Sequence, residues 1–346
     1  MTRSAIGEGF ARLLVAIAAA ITALNLLVWA AGVAPRDALR VAFEGSLASP
    51  YGVGQILFRA TPIVLTALAA RVALVAGLFN IGVEGQIAGA TLAVGALGAF
   101  LGGAGLGGAT LVFALVVASL AAGACVAAVP ALLRARFGAS EVIAGIVTNQ
   151  LVAQFVGLAL RTRFALPGTT RTASVPDSSR FASLSSLVPS FAGSPVSVAS
   201  VAVFALVPCA YLLLRRSRLG REWALAAETP GAMAFAGVPV PARRALALVL
   251  SGAAAGLVAL PMVLGYKGYA EPGLGAGTGF AGLAAAMMGG SSALVTILAA
   301  LWFGTVDQAG LALHALVPKD IVVVMQATSL VVAALLGARR VRETTP

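Results

Sequence analysis

The chain has few charged residues. Only 10% of its 346 residues are Asp, Glu, Lys or Arg, whereas a soluble globular domain carries about 25%. Hydrophobic residues make up 60% of the chain, and the mean hydropathy is +1.00. This composition argues against a soluble fold and predicts an all-α polytopic membrane protein.

Side chains that perform chemistry are scarce as well. The chain has one histidine, His314, two cysteines, Cys125 and Cys209, and two lysines, Lys267 and Lys319. This inventory gives no metal cluster and no Ser-His-Asp or Cys-His catalytic set. Neither lysine follows a glycine, so a Gly-x-x-x-x-Gly-Lys phosphate loop is absent. We expect a transport protein without cofactor or metal rather than an enzyme, and buried cysteines rather than a disulfide.

The positive charge is placed for a membrane. A formal net charge of +11 would suggest nucleic acid in a soluble chain. Here the arginines cluster at the ends of apolar segments, as the positive-inside rule describes, so we exclude nucleic acid and expect membrane lipid as a partner. The inside clusters are Arg134 with Arg136, Arg215 to Arg221, Arg243 with Arg244, and Arg339 to Arg342. They predict cytoplasmic N and C termini.

Apolar runs predict about ten transmembrane or half-spanning helices within one integral membrane domain, 1–346. The runs are 10–32, 53–77, 86–101, 109–133, 141 to about 160, 195–214, 245–265, 280–288, 293–313 and 321–336. The run at 280–288 is too short to span alone, so it is either a half-helix broken at 289–292 or, completed there, one of ten crossings. We predict an external loop at 161–194 and a cytoplasmic loop at 215–244. Arg59 and Arg71 can extend to the two interfaces.

A polar segment, which we call the polar joint, interrupts the apolar sequence at residues 79–86, Phe-Asn-Ile-Gly-Val-Glu-Gly-Gln. Polar groups at membrane depth are costly, so they mark a pathway or a structural joint. Amides and carboxylates pair with hydroxyls and base edges, and an aromatic ring can stack on a base. We therefore predict solute contacts for Phe79, Asn80, Glu84, Gln86, Asn149 and Gln154. The alternative is structural: Glu84 pairs with backbone N–H groups, and Asn149 ties two helices together.

The basic loop at 215–244 contains signals for two short helices. Residues 221–228 form the first, Pro230 begins the second, and Gly237 ends it. Two short helices in a cytoplasmic loop form a docking surface, and the alternative is a solvated loop held by lipid headgroups. On the docking interpretation, the contact residues are Arg221, Glu222, Ala227, Glu228, Pro230 and Gly237.

These segments resemble the permease subunits of ABC importers, in the group that carries branched-chain amino acids, ribose and nucleosides. The Asn-Ile-Gly-x-Glu-Gly-Gln form at 80–86 is similar to nucleoside-type permeases. Further matching blocks are Thr61-Pro62, Gly77-Leu78, Glu141 to Ile143 with Asn149, Leu219 to Arg221, Ala236 to Val238, Leu250 to Gly252, and Ala255 to Leu257. The sequence departs from the pattern at Thr229-Pro230, where the family has Asn-Pro, and residues 266–269 match no block.

The resemblance implies a permease that forms the path for a nucleoside or related base. ATP-binding cassette ATPase subunits would engage the two short helices and hydrolyse the ATP. A second permease subunit and an external substrate-binding protein or lipoprotein would complete the importer in a bacterial inner (plasma) membrane. One alternative is the same machine for a simple sugar such as ribose, or for another small polar solute. Another is a stand-alone ion-coupled carrier using Glu84 and Asp307.

Overall fold

The computed structural model describes residues 3–314, 316–318, 320–321, 323–325, 327–329, 331–332 and 335. Among these residues, regular structure is helical apart from isolated bridge residues, which include the antiparallel pair of Ala165 with Thr172. Between residues 3 and 313 the described chain forms thirteen α-helices: α1 (Arg3–Ala30), α2 (Pro35–Glu44), α3 (Pro50–Val75), α4 (Val83–Gly103), α5 (Gly108–Phe137), α6 (Glu141–Ala159), α7 (Val198–Arg216), α8 (Arg218–Glu228), α9 (Pro230–Phe235), α10 (Val240–Gly256), α11 (Ala259–Met262), α12 (Thr278–Gly289) and α13 (Ala293–Leu313).

Eight helical segments of the described residues are long and apolar enough to cross a membrane. Two of them gain length from π turns, Leu160–Phe164 after α6 and Val263–Lys267 after α11. The short run near Phe280 is α12, a helix of 12 residues that ends at Gly289. The all-α polytopic class is therefore confirmed. The described positions between 320 and 335 are helical, while Leu336 and the basic cluster at 339–342 lie outside the described residues.

The chain divides into two compact units. The first comprises Met1–Ala67, Ser183–Val196 and Ala281–Pro346, and the second comprises Leu68–Ala182 and Ser197–Phe280. In the first unit, a core of apolar side chains joins α1, α2 and α13 through residues such as Leu24, Ala38 and Val306. Small and aliphatic side chains fill this core, as expected where helices pack without help from water.

A polar contact reinforces the first unit. Arg59 Nε of α3 donates to Gln308 Oε1 at 3.0 Å, and Gln308 Nε2 donates to the carbonyl of Gly45 at 3.0 Å. Gln308 is only 7% exposed. Arg59 is therefore tied to α13 as well as half-exposed, which differs from the simple extension to the interface that the sequence suggested.

In the second unit, glycines bring α5 and α10 together. A Cβ atom on Gly252 would overlap the side chain of Ala127 and the carbonyl of Gly123, and one on Gly256 would overlap the carbonyl of Ser119. Gly252 and Gly256 form a Gly-x-x-x-Gly pair, which lets helix backbones approach closely in a membrane. The crossing fixes α10 beside α5, and it places Ser251 of α10 next to the polar joint.

The two cysteines are free thiols, but they are exposed rather than buried. Cys125 lies on α5 and Cys209 on α7, both on outer surfaces of the second unit. The expectation of burial is wrong because the spans are apolar on all sides. A small apolar residue then occupies a lipid-facing position as readily as a core position.

Candidate functional site

The polar joint is closed by a pair of amides. Asn80 Nδ2 donates to Gln86 Oε1 at 2.9 Å, and Gln86 Nε2 donates to Asn80 Oδ1 at 2.9 Å. Asn80 Nδ2 also donates to Ser251 Oγ at 2.8 Å, and Ser251 Oγ donates to the carbonyl of Ala69 at 2.6 Å. Asn80 and Gln86 are 3% and 0% exposed. The network satisfies these buried polar groups and links the joint to α3 and α10.

Asn149 of α6 braces the joint from the other side. Its Oδ1 accepts from the backbone N–H of Gly85, and its Nδ2 donates to the carbonyl of Ile81, both at 2.8 Å. A Cβ atom on Gly85 would lie 3.0 Å from Asn149 Oδ1, so glycine is what allows this approach. Asn149 therefore ties α6 to the start of α4.

Glu84 holds the first turn of α12. Its Oε2 accepts from the N–H of Gly277 at 2.9 Å, and its Oε1 accepts from the N–H of Gly279 at 2.8 Å. Gly277 has a positive φ of 86°, a backbone conformation that lets nearby N–H groups converge on an anion. A carboxylate at this position satisfies N–H groups that a helix start leaves free. Glu84 thus makes the backbone pairing that the structural alternative expected.

A second carboxylate, Glu141, supports the joint from the start of α6. Glu141 forms an ion pair with Arg134, and its Oε1 lies 3.5 Å from the backbone nitrogen of Phe79. Ser140 caps α6 by accepting from the N–H of Ile143. The Arg134–Glu141 pair is half-buried, and no feature of the sequence pattern identified it in advance.

The six side chains predicted to contact a solute fall into two groups. Asn80, Gln86, Asn149 and Glu84 surround the joint and hydrogen-bond within the protein. Phe79 is 41% exposed, and Gln154 is an exposed residue of α6. The structure brings the first group together and leaves the other two side chains available at the surface. Solute contact by all six stays a prediction.

The basic loop contains the two predicted short helices, α8 and α9. Ser217 Oγ caps α8 by accepting from the N–H of Gly220 at 3.0 Å. Glu222 pairs with Arg218 at 2.8 Å and with Arg243 of α10 at 3.1 Å. Because the Glu222 side chain is 15% exposed, this second pair is partly shielded from solvent and fastens α8 to α10.

Further contacts join α8 to α10 and to the joint. Arg244 donates through Nη2 to the carbonyl of Ala226 at 2.7 Å, in the last turn of α8. Trp223 is 3% exposed and packs in an apolar cluster with Leu78 and Leu248. A Cβ atom on Gly77 would lie 3.0 Å from the Cβ of Ala227, so α8 packs directly against the segment that enters the joint.

The outer surface of this helix pair exposes several of the predicted docking residues. Arg221, Glu228, Pro230 and Gly237 are exposed, while Glu222 and Ala227 are half-buried on the inner face. Sequence reasoning missed Phe235, which ends α9 and is 97% exposed. The sequence feature that could have identified Phe235 is an aromatic residue in a short helix bounded by Pro230 and Gly237. A large aromatic side chain in this position suits an interface.

Eight apolar spans in the described part of the chain, a buried polar joint and an exposed helix pair define a membrane-embedded transporter subunit. The chain belongs to the permease family described as "Branched-chain amino acid transport system / permease component", whose model matches residues 52–336. No solved structure matches the chain.

Curated relatives carry ABC permease names. The chain is 29% identical to a glucose ABC transporter permease of Haloferax volcanii over 90% of this chain and 83% of the relative. It is 28% identical to a nucleoside ABC transporter permease of Lactococcus lactis over 77% and 74% of the two chains. It is also 28% identical to a guanosine ABC transporter permease of Bacillus subtilis over 84% and 82%.

Proposed function

We propose that this chain forms the membrane path of an ABC importer for a nucleoside or related base. ATP would be hydrolysed on separate ATPase subunits, and a second permease subunit and an external substrate-binding protein or lipoprotein would complete the complex. The similarity to nucleoside and guanosine permeases over 77% and 84% of this chain carries the choice of solute. The exposed helix pair α8–α9 offers a docking surface for separate ATPase subunits, which supports the proposal that ATP is hydrolysed outside this chain.

The fastening of α8 supports a coupling route. A force on α8 passes to α10 through the Glu222–Arg243 pair, and to the joint through the close packing of Ala227 on Gly77. From the joint it reaches α10 again through Asn80 and Ser251. Such a connected set of contacts can carry a rigid-body movement between two arrangements. In this proposal, loop 215–244 is cytoplasmic, loop 161–194 is external, and both termini are cytoplasmic in a bacterial inner membrane.

We assign the six predicted solute-contact residues two roles. Phe79 and Gln154, which are exposed, contact the solute directly. Asn80, Gln86, Asn149 and Glu84 hold the joint in the present arrangement, and they contact the solute when the joint rearranges during the cycle. This division follows from hydrogen-bonding capacity, because a buried amide already paired on both sides has little left to offer a ligand.

Importers of a simple sugar are the second candidate. The match to the glucose permease of Haloferax volcanii covers 90% of this chain, a larger share than the match to either nucleoside permease covers. A sugar and the ribose of a nucleoside present the same hydroxyl chemistry, so the joint does not separate the two.

A pull-down of the tagged chain from membranes, in mild detergent and with mass spectrometry, tests the proposal. We expect a nucleotide-binding subunit and a second membrane chain to co-purify. Uptake of labelled nucleosides by the reconstituted complex, compared with ribose and glucose, then decides the solute. Recovery of this chain alone, in a form that still transports, would refute the ABC assignment and favour a stand-alone ion-coupled carrier.

A further inference from the structure

A pocket in the second unit lies between the end of α5 and the start of α10, and we call it the arginine pocket. It contains about 570 Å³ of empty space, part of which is open to solvent, a volume in the range of small-ligand sites. Its charged lining residues are Arg134 and Arg244, and the rest of its described lining is apolar side chains and one glycine. None of the residues predicted to contact a solute or the ATPase subunits lines it.

Arg244 is a half-buried cation that pairs with no carboxylate among the described residues. Its Nη2 donates to the neutral carbonyl of Ala226 at 2.7 Å, and its Nε is buried without a hydrogen-bond partner. The third nitrogen, Nη1, donates to no described residue and is not buried. Because charges withdrawn from water are normally compensated by a partner, this guanidinium lacks an anion that its own surroundings do not supply.

Arg134 brings a second guanidinium to the pocket. Its Nη1 pairs with Glu141, while its Nε and Nη2 donate to no described residue. Glu141 does not line the pocket, and the other carboxylate in this region, Glu222, is already paired with Arg218 and Arg243. The pocket therefore presents free guanidinium donors and no carboxylate. Guanidinium groups match the several oxygens of a phosphate better than a single-atom anion.

The position and walls of the pocket favour the phosphate of a lipid over a free phosphate ion. Both arginines lie near the ends of apolar spans, 108–137 and 240–267, where side chains meet lipid headgroups. Leu132, in the last turns of α5, is 55% exposed, as a lipid-facing residue is. The apolar walls contribute nothing to binding a free ion, whereas they can pack against glycerol and acyl carbons. Basic pockets between transmembrane helices bind anionic headgroups in this way.

We propose that the arginine pocket binds one anionic phospholipid, whose phosphate is held by Arg134 and Arg244 and whose glycerol and acyl carbons contact the apolar wall. The phosphate supplies the anion that Arg244 lacks, and it links the end of α5 to the start of α10. Because Arg244 also holds the last turn of α8, the lipid stabilises one of the contacts that fasten α8. The site concerns the membrane around the permease rather than its solute, so it goes beyond the proposed function.

Native mass spectrometry of the purified chain in mild detergent tests the site. The chain is titrated with phosphatidylglycerol, which is anionic, and with phosphatidylcholine, in which the choline balances the phosphate charge. We expect one molecule of phosphatidylglycerol to bind with a Kd about tenfold lower than that of phosphatidylcholine, the equivalent of one charge-assisted hydrogen bond. Equal affinity of the wild-type chain for the two lipids overturns the proposal without recourse to any variant.

A pair of arginine substitutions locates the binding. Arg244→Gln removes the uncompensated charge. Arg136→Gln, the matched control, removes the same charge from an exposed position in the last turn of α5 that does not line the pocket. Arg244→Gln should raise the Kd of phosphatidylglycerol to that of phosphatidylcholine, whereas Arg136→Gln should change it by less than about twofold. If the two substitutions weaken binding equally, the lipid recognises diffuse charge at the helix ends, and the pocket is not its site.

A pocket-filling variant keeps the proposal testable if Arg244→Gln does not fold. Ala135→Phe places a ring in the pocket and retains both arginines, since Ala135 lines the pocket and is half-buried. It should abolish the preference for phosphatidylglycerol, and wild-type affinity in this variant refutes the site. Incubation with excess inorganic phosphate, removed before measurement, separates the two sources of phosphate. Retention of the lipid supports the proposal, whereas its displacement identifies a free phosphate as the ligand and overturns the lipid assignment.

Discussion

The side-chain amides of Asn80 and Gln86 face each other, and each donates one N–H to the other's carbonyl oxygen at 2.9 Å. The pair spans the turn that leads into α4, so it closes the joint on itself. The contact from Asn80 to Ser251 then attaches the closed joint to α10. A joint held in this way is fastened to α10, as the proposed coupling route requires.

Disrupting the amide pair should destabilise the protein, and the effects of the two single substitutions should not add. Asn80→Ala and Gln86→Ala should each lower the free energy of unfolding by about 1–3 kcal/mol, because each leaves a buried partner unsatisfied. The double variant should lose less than the sum of the two. Unfolding of the purified chain in detergent measures all three, with the exposed Gln154→Ala as control. Strict additivity would show that the two amides do not interact.

Removing the Glu84 carboxylate should loosen the start of α12. Glu84→Ala frees the N–H groups of Gly277 and Gly279, whereas Glu84→Gln retains one acceptor oxygen without the charge. Amide hydrogen exchange across residues 274–282 should be fastest in the alanine variant and intermediate in the glutamine variant, with about tenfold between the extremes for a charge-assisted contact. Glu44→Ala serves as the control. Unchanged exchange in Glu84→Ala would contradict this role.

The sequence predicted the polar joint, most of the spans and the two short helices, because each depends on local composition or on Pro and Gly at defined places. It did not predict the partners. Asn80 meets Ser251, and Glu84 meets Gly277 and Gly279, across long separations in the chain. Hydrophobic periodicity carries no information about such pairs when both helices are apolar on all sides.

The sequence pattern also did not predict which of these side chains are exposed. The exposure of Phe235 depends on the angle at which α9 leaves α8, and that angle is set by tertiary contacts such as the packing of Met233 against Ala226 and Val240. The prediction that Cys125 is buried was wrong for a similar reason, since lipid-facing and core positions accept the same small side chains.

Adding a methyl group where α5 and α10 touch should destabilise the protein. Gly252→Ala places a methyl group where the carbonyl of Gly123 and the side chain of Ala127 lie, so the helices must separate. We expect a loss of about 1–3 kcal/mol in the free energy of unfolding. Gly103→Ala, in the last turn of α4 with open space around its Cβ position, should be neutral or slightly stabilising. Equal stability of the two variants would refute the close crossing.

Phe235 should dominate docking of the ATPase subunits. The ring is 97% exposed, so Phe235→Ala should leave the thermal unfolding of the isolated chain unchanged. In the complex, burial of the ring would make it an anchor, and its loss should weaken subunit association by about 2 kcal/mol, roughly thirtyfold in Kd. Association is measured by titrating purified ATPase subunits onto the chain in nanodiscs. Phe113→Ala on α5, an equally large change at a residue 71% exposed, is the control because it lies in a membrane span. If both variants bind the ATPase subunits as tightly as the wild type, the α9 surface is not where they dock, and the basic loop must be anchored to lipid headgroups instead.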